Sequence, residues 1–279
     1  MTKKKKKKRI ISVILVICLL IALSLAFVVK SQFSPKVVSL SAEGLPTEGV
    51  NLIAHRGFSA VAPENSGSAF IEAGKAKFFA AECDVHLSKD NVWVVNHNET
   101  IDVMTDGKGK IYEMTFEEIS KYSIDKGNNW KDFDKQKLIT LDDFLAICNE
   151  YDIVPQIEIK EGNYEQLDAI LVSLDKYEGM REKAIIISFD GVILEKLRNL
   201  DADLKLWYLT DKIDHKVVVL ASMNNYTIGF NCRKYDKAML NMAKKQNIEL
   251  AAWTVDDPKI YKELYDLGVR NFTTNCLTY

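Results

Sequence analysis

The chain has 279 residues, 47% hydrophobic and 27% charged, with 13 Gly and 5 Pro, a composition that supports globular structure and excludes collagen-like, low-complexity and wholly disordered chains. The balance of 37 Lys and Arg against 39 Asp and Glu hides a division, because residues 1–30 hold eight basic residues and no acidic one, leaving residues 31–279 with a net charge of −10. Such a body lacks the basic face that neutralises nucleic-acid phosphates, so no nucleic-acid partner is expected.

From Ile10 to Val29 the chain runs 20 residues without a charge, enough at ~1.5 Å per residue to cross the ~30 Å hydrocarbon core as one helix. Seven cations, Lys3 to Arg9, precede it, and the positive-inside rule keeps them in the cytoplasm and sends the body outside. The expected organisation is a cytoplasmic tail at 1–9, a single-pass membrane anchor at 10–29, a linker at 30–50 and one extracellular domain at 51–279. A cleaved signal peptide, with Ser24 and Ala26 as small residues at −3 and −1 before Phe27, is the alternative, and it exports the body equally. Cys18 falls in the apolar run, and Cys83, Cys148, Cys232 and Cys276 are widely scattered without a CxxC pair. Buried free thiols are therefore expected rather than a zinc site or a disulfide framework.

The linker carries Pro35, Gly44, Pro46 and Gly49 without helical periodicity. Beyond it, β-rich runs alternate with amphipathic stretches. Strands are expected at Asn51–His55, Ala80–Leu87, Val92–Asn96, Val154–Lys160, Ala184–Phe189, Leu204–Leu209, Tyr226–Phe230, Ile248–Thr254 and Asn271–Thr274. Helices are expected at Ser66–Lys77, Leu141–Glu150, Tyr164–Tyr177, Val192–Leu200, Lys237–Gln246 and Lys259–Leu267, with Gly179 and Gly268 as C-terminal caps. Counting Val92–Asn96 as half of a bent strand or hairpin leaves eight parallel strands. That number fits an α/β fold of the (β/α)8 TIM barrel type, and the absence of a Gly-rich phosphate loop after any strand disfavours a doubly wound sheet.

A barrel keeps its chemistry at the C-terminal ends of its strands. There the chain has His55-Arg56-Gly57, Glu82-Cys83-Asp84, His97-Asn98 and Glu158-Ile159-Lys160. Strand alternation turns Glu82 and Asp84 to one face, and likewise Glu158 and Lys160. Three converging carboxylates repel unless a cation lies between them, and all-oxygen ligation favours Ca²⁺ or Mg²⁺ over zinc. Such a metal polarises a phosphoryl oxygen while Arg56 and Lys160 neutralise the others. His55 and His97 then divide the acid–base work of phosphate-ester hydrolysis. Of the other two histidines, His86 lies in phase with Glu82 and Asp84 but is given no role, and His215 is read as structural.

With these residues in place the chain resembles the glycerophosphodiester phosphodiesterases. The resemblance rests on His55-Arg56-Gly57, Pro63-Glu64-Asn65, Glu82-x-Asp84, Val94-Val95-x-His97, Ile157-Glu158-Ile159-Lys160, Ser188-Phe189 and Trp253-Thr254-Val255. It implies a TIM barrel, the histidine pair, the metal triad and the phosphate contacts already named, and release of glycerol 3-phosphate and an alcohol. It also implies that Glu64 bonds the arginine or a substrate hydroxyl, that Phe189 and Trp253 line the alcohol pocket, and that no extra domain lies between His97 and Glu158. Three departures stand out: Asn98 where the family has Asp, Asp256 where it has Asn, and Asn275 where it has Asp. A lysophospholipase D or sphingomyelinase D type activity, and a catalytically weak phosphate-binding module, are the competing functions. Deacylated phospholipids and glycerophosphate polymers of the envelope are both expected substrates.

Overall fold

The computed structural model describes residues 40–41 and 44–279. The expected tail and anchor, Cys18 and most of the linker lie outside the described residues. Among the described residues no helix is long and apolar enough to cross a membrane. The strands in chain order are β1 (Leu40–Ser41), β2 (Asn51–Ala54), β3 (Ala80–Leu87), β4 (Trp93–Val95), β5 (Val154–Ile159), β6 (Ile185–Ser188), β7 (Lys205–Thr210), β8 (Thr227–Asn231), β9 (Leu250–Trp253), β10 (Asn271–Thr274) and β11 (Leu277–Thr278). Parallel pairing runs β2-β10-β9-β8-β7-β6-β5-β3, and β3 also pairs with β2, so eight strands close on themselves. The expected barrel is what forms. β4 is the return arm of an antiparallel hairpin on β3, with Val95 opposite Val85.

Two apolar layers hold the barrel. Outward-facing side chains such as Leu52, Cys83, Ile157, Ile186 and Phe272 pack beneath the surrounding helices, while Ile53, Ala80, Ile185, Ile187, Trp207, Leu209 and Ala251 fill the interior. This alternation explains why the strands read as nearly continuous apolar runs. Several helices start at side-chain caps. Thr140 accepts from Asp143 N–H at 3.1 Å while Asp143 bonds the Thr140 backbone, opening helix Leu141–Glu150 as a capping box.

Four sequence expectations need correction. Leu40–Ser41, read as linker, pairs in parallel with β11. The helix expected at Tyr164–Tyr177 spans only Leu167–Leu174, because Gln166 takes the left-handed conformation before it. Gly179, expected to close that helix, instead opens the short helix Met180–Lys183. Helix His215–Asn224 was not anticipated: its Val217-Val218-Val219 run blurs the helical period, with Val218 buried and Val219 exposed. Cys83, Cys148, Cys232 and Cys276 are buried free thiols, as expected. Between β4 and helix Leu141–Glu150, residues 96–140 form an excursion with its own apolar cluster around Ile101, Ile111, Ile119, Ile124 and Leu138.

Candidate active site

β2 ends at Ala54, and the chain turns at once. Arg56 adopts a left-handed backbone (φ 57°) and Gly57 follows at φ 75°. A Cβ on Gly57 would lie 2.6 Å from the Ala69 carbonyl carbon in helix Gly67–Lys75, so only glycine fits. Glu82 pins this turn: its Oε2 accepts from Arg56 N–H at 2.8 Å and its carbonyl accepts from Gly57 N–H at 3.1 Å. The guanidinium is thereby aimed over the barrel mouth, where Nη1 donates to Glu64 Oε1 at 2.8 Å and Nε lies 3.5 Å from Asp84 Oδ2.

Glu82 and Asp84 rise from β3, and Glu158 stands in register beside Asp84 on β5. One oxygen from each lies within 4.8 Å of the others, and all three side chains are buried. Burial, then the charges of Asp84 and Glu158, push the Glu82 carboxyl well above its usual range. Burial and Asp84 likewise push Glu158 up to about 7. Asp84 goes the other way: burial opposes its ionisation, but Lys160 and Arg56 overcome it and hold its carboxyl below the usual range. Lys160 Nζ sits 2.5 Å from both Asp84 Oδ1 and Glu158 Oε1. In this geometry Lys160, expected on the phosphate, spans two of the carboxylates.

Glu82 Oε1 is buried without a hydrogen-bond partner. Three carboxylates against Arg56 and Lys160 leave the cluster one negative charge in excess when all are ionised. An orphaned oxygen, mutual repulsion and an all-oxygen donor set together fit a hard divalent cation. Asn65, quoted in a motif but given no role from sequence, holds the cluster in place. Its Nδ2 donates to Asp84 Oδ2 at 2.8 Å, and its Oδ1 accepts from Asp84 N–H at 3.2 Å. It adopts a left-handed φ of 53°, which asparagine tolerates better than most residues.

Both histidines face the same cavity. His55 Nδ1 meets Asn275 Oδ1 at 2.8 Å, and burial, reinforced by Arg56, lowers its pKa to about 4. His97 is less buried, and burial lowers its pKa as well. It arrives from the end of the β3–β4 hairpin, where His86 Nε2 donates to the His97 carbonyl at 3.2 Å. Asn96 Nδ2 braces the same turn by donating to the carbonyls of Asn98 and Thr100 at 2.7 and 3.1 Å. His86 therefore supports the loop that carries His97. His215 is exposed at the start of its own helix.

Residues 55–277 match the glycerophosphoryl diester phosphodiesterase family. The chain belongs to that family. A glycerophosphodiester phosphodiesterase of Caldanaerobacter subterraneus subsp. tengcongensis is 30% identical over 231 residues, covering 80% of this chain and 93% of that protein. Among solved structures, a phosphodiesterase of Oleispira antarctica, in complex with the product sn-glycerol-3-phosphate, aligns with a TM-score of 0.74 at 23% identity, covering 85% of this chain and 96% of that one. The glycerophosphodiester phosphodiesterase of Thermotoga maritima aligns at 0.64 and 26% identity, covering 81% and 94%.

In this phosphoric diester hydrolase the mouth narrows to a cavity of about 190 Å³ that reaches down between Ile187, Leu209 and Ala251. Phe189 and Trp253 form one wall, edge to face with ring centroids 5.5 Å apart. Sequence reasoning missed Gln156, one step below Glu158 on β5 and in register with Glu82. Both ends of its buried amide lack partners, as does Trp253 Nε1. Its inward phase on a barrel strand could have marked it.

Proposed function

We propose that this phosphodiesterase hydrolyses glycerophosphodiesters to glycerol 3-phosphate and a free alcohol, with Glu82, Asp84 and Glu158 holding one divalent cation, Ca²⁺ or Mg²⁺. The observation that carries this reading is the buried carboxylate triad with its orphaned Glu82 oxygen, set beside Arg56, Lys160 and two imidazoles. A cation held there supplies electrophilic polarisation of a phosphoryl oxygen. Arg56, steadied by Glu64, binds a second phosphoryl oxygen, and Lys160 adds positive charge at the mouth. His55, neutral near pH 7 because of its lowered pKa, accepts the proton of the attacking water or hydroxyl as the new P–O bond forms. His97, the less buried of the two, in its imidazolium form hands a proton to the alcohol oxygen as its bond to phosphorus breaks. The unpartnered atoms of Gln156 and Trp253 are positioned to meet hydroxyl groups of a bound polyol.

The cavity is smaller than the ~300–1,000 Å³ typical of drug-sized ligand sites, which favours a compact glycerol end over the acyl groove that a lysophospholipase D or sphingomyelinase D type activity needs. Ile10–Val29 and the preceding cations support a single-pass membrane anchor with the barrel at the outer face. Deacylated phospholipids and envelope glycerophosphate polymers are the substrates that such a location supplies. Full-length protein in detergent, stripped of metal and supplied with Ca²⁺ or Mg²⁺, should release glycerol 3-phosphate from glycerophosphocholine or glycerophosphoglycerol. No release with any divalent metal overturns the reading for those substrates. Protease added to intact cells should remove the barrel, and full protection refutes the outer location.

A further inference from the structure

We propose that Asp256 is a positioning residue for His55, acting through the side-chain amide of Asn275 to set which imidazole nitrogen carries the proton. The three residues stand just past the C-terminal ends of three neighbouring strands: His55 after β2, Asn275 after β10 and Asp256 shortly after β9. Asp256 is fixed first. Its Oδ1 accepts from Thr274 Oγ1 at 2.9 Å and from Asn275 N–H at 2.8 Å. Its Oδ2 then lies 2.7 Å from the Asn275 side chain. An ionised carboxylate only accepts, so the Asn275 atom facing it is the NH₂ group and the Asn275 oxygen points the other way.

That oxygen is 2.8 Å from His55 Nδ1, and Ser59 Oγ donates to it at 3.0 Å. An acceptor at Nδ1 requires Nδ1 to carry hydrogen, so in the neutral ring Nε2 keeps its lone pair. The Asn275 carbonyl also accepts from Ala60 N–H at 3.0 Å, which ties the relay to the segment following the His55-Arg56-Gly57 turn. The carboxylate thus selects the tautomer from one residue away, and the amide transmits the selection by its orientation. Asp256 touches no substrate in this scheme.

The inference rests on His55 as proton acceptor, and full-length protein labelled with ¹⁵N-histidine separates the two ideas. In Asp256→Asn the Oδ1 contacts persist, but an NH₂ group now meets the Asn275 NH₂ group. The Asn275 amide should reverse, moving the His55 proton to Nε2, visible in two-bond ¹H–¹⁵N spectra. Turnover should fall about 100-fold or more with KM changed less than about threefold. Exchanging the pair, Asp256→Asn with Asn275→Asp, places a carboxylate directly on Nδ1 and should restore the Nδ1–H tautomer and bring kcat to within about tenfold of the parent. A double variant no better than the single one, at equal melting temperature, overturns the proposal. An unchanged tautomer and kcat in Asp256→Asn overturns it too. A reversed tautomer with unchanged kcat refutes His55 as the acceptor, and the positioning role falls with it.

Discussion

The two ends of the barrel treat their polar groups in opposite ways. At the N-terminal end Asn51 Nδ2 donates to Asn271 Oδ1 at 2.8 Å, Asn271 Nδ2 donates to Glu249 Oε1 at 2.9 Å, and Thr227 Oγ1 donates to Glu249 Oε2 at 3.2 Å. At the C-terminal end Glu82 Oε1, both Gln156 amide atoms and Trp253 Nε1 are buried without partners. The roomier cavity, about 700 Å³, lies at the self-satisfied end, and the mouth holds only about 190 Å³. Volume alone would thus point away from the chemistry. What marks the reactive end is polar atoms that the protein leaves unsatisfied, a stability sacrifice that makes sense only where a ligand completes the bonding.

Substitutions at the two ends should therefore separate activity from stability. The largest effect belongs to His55→Ala or His97→Ala, each lowering kcat/KM about 10²–10⁴-fold in steady-state assays while the cation-induced rise in melting temperature survives. Next comes acid. Folded His55 titrates at about 4 and the unfolded ring near 6.5, so between those values the unfolded chain binds more protons. Stability contributed by neutral His55 is complete above pH 6.5 and is lost as pH falls toward 4, by on the order of 3 kcal/mol. Glu158, raised to about 7, works in the opposite direction. Urea midpoints of parent and His55→Gln compared at pH 7 and pH 5, without metal, isolate the histidine, and parallel changes in both proteins would contradict its assignment.

At the other end, Asn271→Leu strands Asn51 and Glu249. It should cost about 2 kcal/mol, a fall of ~4–8 °C in melting temperature, with kcat/KM held within about twofold. The smallest effect is the most diagnostic. Glu82→Gln relieves repulsion in the triad and should raise the metal-free melting temperature by ~2–4 °C, about 1 kcal/mol, while abolishing stabilisation by Ca²⁺ or Mg²⁺. A melting temperature lowered by Glu82→Gln would show that the mouth is built like the base.

The strand runs and the residues at their ends were legible because burial on both faces and alternation leave a direct pattern. Ala80–Leu87 and Asn271–Thr274 appear as expected from sequence, residue for residue. The orientation of Asn275 by Asp256 was not legible, because it depends on neighbouring strand ends 19 residues apart meeting at a 2.7 Å contact. Both residues registered only as departures from a family pattern. Asn65 was hidden for a similar reason: its contact with Asp84 exists only after a left-handed turn folds back onto β3. The placement of Lys160 between carboxylates, rather than simply near a phosphate, is a matter of side-chain reach that strand phase does not determine.

The excursion at residues 96–140 has a kinetic meaning. His55 is welded to the closed sheet, whereas His97 opens a segment whose apolar cluster, from Ile101 to Leu138, is small and separate from the main core. In the language of amide exchange, the two imidazoles should belong to different cooperative units. Backbone amides of β2 should exchange only through global unfolding, and those flanking His97 through cheaper local opening. If exchange follows that order, one imidazole of the proposed acid–base pair rests on a fixed frame and the other on the segment that opens at lower cost.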